Sequence, residues 1–362
     1  MTSNLATELQ PAARVPFHPG LTPADVARAA EYRREYELRR ADDLAKRRRD
    51  QKAALESVNQ RMAEIFGADV AFDLQQYRRS LRHRDAVRQL EHGYVDTAEA
   101  SGRRAREFAD YIRDRGIDRT QFDLFTSDLR EILKRIPLPE FGGKTKPHKP
   151  AGKAKPTTTH FRPPFSGWQY GEDPGLISGF RVNVTHLLDD VAGQVGHVIT
   201  LDDGDASDLD AGSMEADSQI VFWYQVPRTG LIEVTVFAVC GKANHSLQVF
   251  DEWGVSWSKV SQATSFMSHV VHPNVGAPSY SFLSRLDHDK DTSTNRDENP
   301  FLPGQHVATS PMVSDGPVAA GTLVEIRAGI HSVDGALTND MEVHSRSTHS
   351  WFVYQIDVRV LP

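Results

Sequence analysis

The chain holds a single cysteine, Cys240, among 362 residues. No internal disulfide can form, and no thiolate zinc finger or dithiol centre can be assembled. Its setting in VTVFAVCG, residues 234–241, points to a buried, inert thiol. Long apolar runs are missing too. No stretch of about eighteen apolar residues occurs, so no helix is expected to span a membrane. The opening MTSNLATELQPAARVPFHPG has neither the basic start nor the apolar core of a Sec-type leader. With the lone thiol, this gives an expectation of synthesis in the cytoplasm, the final location being left open to lysis or dedicated secretion.

Signatures of catalysis are as scarce. HEXXH is absent, as is a paired HXH. In the GGKT of residues 142–145 the first glycine of a phosphate loop is replaced by Leu138, and no strand precedes it, so nothing there cradles a phosphate. GVSWS, residues 254–258, lacks the second glycine of a nucleophile elbow. His269 and His272 fall on opposite faces of a strand, whereas His344 and His349 flank a turn-like SRST without a carboxylate to complete a set. The fifteen histidines therefore read as residues of loops and strand ends.

What the chain does have is a sharp division of charge. The net charge of −7 splits into +3 over residues 1–135, +5 over 136–165 and −15 over 166–362. Parts with such different surfaces have different partners. The expected organisation is α + β and multidomain: a flexible N-terminus (1–21), a helical region (22–136), a basic Pro/Lys-rich linker (137–165) and an acidic domain (166–362).

In the helical region Thr22, Pro23 and Asp25 form a helix start, and no proline or glycine intervenes before Gly67. Its apolar stripe is thin, and RREYELRRADDLAKRRRDQK is mostly charged, which predicts a long solvated or coiled-coil-like helix that packs on copies of itself or on an assembly. Further helices are expected at about 69–92, 97–115 and in TQFDLFTSDLREILKRI, residues 120–136. After the linker the period changes. SQIVFWYQV, LIEVTVFAVC, GTLVEIRAG and the closing WFVYQIDVRV read as short strands between Gly/Pro/Asp/Asn loops, which predicts an antiparallel, jelly-roll-like β-sandwich whose last strand is paired inside a sheet.

Candidate sites follow from side-chain chemistry. LDHDKDTSTNRDENP, residues 286–300, spaces Asp287, Asp289, Asp291, Asn295 and Glu298 as a calcium loop would. Thr292 stands where an EF-hand needs glycine and the flanks are not helical, so the expectation is a Ca²⁺-binding or plain acidic loop on a sandwich. A second acidic loop carries Asp202, Asp203, Asp205, Asp208 and Asp210. Trp253, Trp257 and Tyr280 form a candidate sugar-stacking platform, and Asp251 with Glu252 is the most enzyme-like carboxylate pair, although neighbours on a strand face opposite ways. The basic helical segments are balanced by acidic neighbours, so no specific nucleic-acid contact is expected.

The functional expectation is a non-enzymatic binding or structural protein of the virion, tail or delivered-toxin kind. Its helices self-associate or anchor it to an assembly, and its sandwich recognises a glycan or protein. The alternative is a carbohydrate-active enzyme using Asp251 and Glu252.

Overall fold

The structure, a computed structural model, describes residues 20, 22–74, 76–77, 80, 84, 97–134, 157–203, 209–251, 257–272, 275, 278–290, 293–339 and 341–362. The helix start at Thr22 is present as a capping box: Thr22 accepts from the Asp25 N–H, and the Asp25 carboxylate accepts from the Thr22 N–H. From it α1 runs unbroken over Pro23–Phe66 and stops at Gly67, whose φ of 85° suits a residue without a Cβ. Residues 68–74 are again helical, followed by α2 (Thr97–Asp114) and α3 (Arg119–Lys134).

Thirteen strands follow among the described residues, and all named pairings are antiparallel. They make a β-sandwich. One sheet has the order β10-β6-β13-β4-β3, from β10 (His306–Ala308), β6 (Leu231–Asp251), β13 (Met341–Leu361), β4 (Gln194–Asp203) and β3 (Phe180–His186). Its spine is the long β6–β13 pair. Shorter strands lie end to end along its flanks: β1 (Thr157–Phe161) continues the place of β4 beside β13, and β9 (Thr294–Phe301) and β11 (Met312–Val313) join β10 beside β6. The second sheet is β2-β5-β12-β7-β8, from β2 (Gly167–Ser178), β5 (Leu209–Gln225), β12 (Leu323–Asn339), β7 (Trp257–Val271) and β8 (Ser279–Lys290).

Three expectations change. The strands are long instead of short, because they run straight through Ser/Thr/His/Asp stretches that read as turns; SRST lies mid-strand in β13. Residues 157–161, assigned to the linker, form β1 and register against Val360–Ile356. The long polar helix does not stand away from the sandwich. Tyr32 approaches His272 at the end of β7, Arg33 pairs with Glu325 on β12, Arg47 with Glu215 on β5, and Arg48 donates to the Pro174 carbonyl on β2. α1 thus crosses the outer face of the five-stranded sheet. Val58, Met62 and Phe66 then close a second core with Phe108, Phe125 and, from the sheet, Ala211 and Leu337. The charged seam of α1 lies against a polar sheet face.

Candidate functional site: an imidazole row and an aromatic edge

Alternation fixes what faces the space between the sheets. At one end lie Val234, Val236, Phe266, Ile326 and Trp351; at the other lie Ile199, Leu201, Met214, Val249 and Val343. Between these two apolar clusters each strand contributes polar residues. On the larger sheet His186 of β3 stands opposite His197 of β4, and His197 stands opposite His349 of β13. His245 of β6, diagonal to His349, completes the row with ring centroids 4.9 Å apart. Four imidazoles therefore cross four neighbouring strands.

The facing sheet answers with Ser218, Asp334, Gln262, Thr264 and Ser284. Ser218 Oγ lies 2.8 Å from His186 Nδ1 and 3.1 Å from His197 Nδ1, and Ser284 Oγ lies 2.8 Å from His245 Nε2. Gln262 donates to Ser345 Oγ at 2.8 Å, Thr264 and Ser332 hydroxyls are 2.9 Å apart, and Ser347 donates to the Asp334 carboxyl. His197, His349 and Asp334 are all fully buried. His349 has a bonding partner on neither ring nitrogen.

Burial sets the protonation of this layer, because a charged group there loses its water. It pushes His197 down to about 3, helped by the nearby His186, and His245 down to about 4. His349 falls well below the usual histidine range through burial and through His245 and His197 beside it. Burial pushes the Asp334 carboxyl up to about 7, against the Ser347 hydroxyl and the Ala263 N–H that favour its charged form. All three interior imidazoles are neutral at pH 7.

The row reaches solvent at the edge formed by β2 and β3, toward the ends of both strands away from Gly179 (φ 78°), which joins them. Here the Tyr170 ring stacks on His186 (4.3 Å, 24°) and Trp168 lies parallel to Tyr170 (6.3 Å, 14°). Glu172 Oε1 is 3.1 Å from His186 Nε2. Trp168, Tyr170, Glu172 and His186 are half-buried. Glu172, His186 and Ser218 line up in the acid–base–hydroxyl order of a hydrolytic triad. Ser218, however, is fully buried and its Oγ is shared by two imidazoles, so a substrate carbonyl has no route to it.

The residues singled out from the sequence are placed elsewhere. Asp287 and Asp289 lie on β8 of one sheet, and Asn295 and Glu298 on β9 of the other, so the expected acidic loop is two strands that change sheets. Asp287 pairs with Arg285 at 2.6 Å, Glu298 with Arg296, and Arg296 also donates to the Asp287 carbonyl. Arginines thus occupy the carboxylates of Asp287 and Glu298. Among the described residues no three His, Cys, Asp or Glu gather as metal ligands; Asp291 lies outside them. Asp251 ends β6 opposite Met341, Trp257 begins β7, and Glu252 and Trp253 lie outside the described residues. Tyr280 packs near His331 (4.8 Å), itself bonded to Asp217 at 2.7 Å, on the sheet face that α1 crosses. The sequence did carry a signal for the row: His197, His245 and His349 each sit at an inward position of an alternating run. Reading it required knowing that those strands were adjacent.

No protein-family model matches the chain, and no curated protein matches it. Solved structures with some likeness include TmCBM61 in complex with beta-1,4-galactotriose (11% identity, 46% of this chain, 88% of that chain, TM-score 0.13). Another is described as "CBM4 structure and function" (13% identity, 51% of this chain, 88% of that chain, TM-score 0.13). Superposition this poor carries no argument about a ligand.

Proposed function

We propose that the protein is a non-enzymatic binding protein whose sandwich takes a glycan-type ligand at the β2–β3 edge. The supporting observation is the parallel arrangement of Trp168, Tyr170 and His186 beside the half-exposed Glu172. A flat aromatic face takes the apolar face of a sugar ring, and an adjacent carboxylate accepts from its hydroxyls. The buried Ser218 removes the reaction that the neighbouring acid–base pair would otherwise suggest.

Binding of soluble oligosaccharides, followed by calorimetry and by quenching of tryptophan fluorescence, tests the proposal. Trp168→Ala should weaken binding about fivefold or more, since stacking on an aromatic ring contributes on the order of 1 kcal/mol or more. Absence of binding across a broad oligosaccharide panel sinks it. The helical region is proposed as the anchor to an assembly, with the outward residues Glu31, Arg34, Glu37 and Leu38 of α1 as the surface that remains exposed. Light scattering and partner capture with the full chain test that part; a monomer without retained partners counts against it.

A further inference from the structure

We infer that the imidazole row makes the sandwich an acid-opened structure, its two sheets separating from the β2–β3 edge when the interior histidines take up protons. The geometry carries this. His197, His349 and His245 lie on adjacent strands inside the sandwich, fully or almost fully buried, with no ionised carboxylate hydrogen-bonded to any of them. His349 has no hydrogen-bonded partner, and its ring stands 4.9 Å from that of His245. A cation on any one desolvates and faces another imidazole; two cations repel at short range with little water to screen them.

The charged and titratable surroundings do not cancel this. From β2, Glu172 meets only the edge imidazole, His186. From β5 and β12, Asp217 and His331 bond to each other; their charges act on His197 in opposite senses. From β9, Glu298 favours a charged His245 but is paired with Arg296. From β12, Asp334, raised to about 7 by burial, accepts from Ser347 and is largely protonated at pH 6 and below. From β8, His288 adds another buried imidazole further along the same inward face. A path for protons exists: Glu172, His186, Ser218 and His197 are joined in sequence at 3.1, 2.8 and 3.1 Å, starting from the exposed edge.

The direction of the pH effect follows. A histidine depressed in the folded chain contributes stability that is complete above about pH 6.5 and is lost as pH falls toward its folded value. Three such groups take up three protons on opening. Asp334, raised in the folded chain, works the other way, contributing stability below about pH 3.8 that is lost as pH rises through 7. These four groups give a net of about two protons taken up. His186 and His272, also lowered by burial, add to it, and His344, raised by Glu342 and Asp202, subtracts. The unfolding constant should therefore rise about 100-fold for each unit of pH between 6 and 5.

Urea unfolding of the full chain at a series of pH values reads that slope. His349→Gln should reduce it about tenfold per pH unit even where the variant is less stable throughout, and Asp334→Asn should steepen it by a similar factor. A purely structural role shifts stability equally at every pH and leaves the slope alone. A wild-type slope of less than one proton between pH 6 and 5 overturns the inference, as does a His349→Gln slope equal to that of the wild type.

Discussion

Among single residues, Trp351 and Gly196 show how tightly the interior is specified. Trp351 is fully buried and meets Phe266 and Phe301 edge-on at 5.3 and 5.1 Å. Trp351→Ala should cost about 3–5 kcal/mol, because the surrounding strands are held by their ladders and cannot collapse into the space. Gly196 precedes His197, and a Cβ there would stand 2.1 Å from the His349 carbonyl oxygen. Gly196→Ala should therefore push β4 and β13 apart and destabilise the chain more than a typical surface change. Chemical denaturation of both variants checks these outcomes, and midpoints equal to wild type for both would contradict the packing described. Neither residue was marked by sequence. Trp351 opens a visible alternating run, but its neighbours come from β7 and β9, which no local pattern links to it.

At the scale of elements, α1 and its sheet explain each other. A helix over a sheet normally buries an apolar stripe. Here the sheet presents Glu325, Arg327, Asp217, His331 and Glu215, all buried, and the helix brings arginines. Glu325 holds Arg327 at 2.7 Å and also receives Arg33. Glu325→Gln should destabilise the chain by about 3–5 kcal/mol, since Arg327 would keep its charge in a buried place without its carboxylate. Thermal unfolding of the variant measures this, and an unchanged transition would show that the pair is dispensable. The start, course and length of α1 were legible, because Thr22, Pro23, Asp25 and the absence of breakers are local signals. Its partner was not. A thin stripe and many charges fit a coiled coil as well as a polar sheet, and only the register of β5, β7 and β12 decides between them. The acidic stretch 286–300 is similar: its ligand spacing is real along the chain, yet β8 and β9 send Asp287 and Glu298 to different sheets and pair each with an arginine.

On the scale of the whole molecule, the helices and sandwich share buried surface, with Ala211 and Leu337 of the sheet packed among Val58, Phe66, Phe108 and Phe125. The helical signal in far-ultraviolet circular dichroism and tryptophan fluorescence should then lose structure in one coincident transition. Two separated midpoints would mean that the parts unfold independently. Composition and periodicity determined a charged helical part, an acidic β part and an internal last strand, because capping, alternation and turn chemistry act over a few residues. Tertiary structure alone decided which strands are neighbours. That choice turned scattered histidines into a row, gave the polar helix a sheet to cross, and placed Trp168 and Tyr170 at an open edge. Cross-strand distance is a property of pairing, and pairing between residues as far apart as His197 and His349 is written nowhere in a local stretch of sequence.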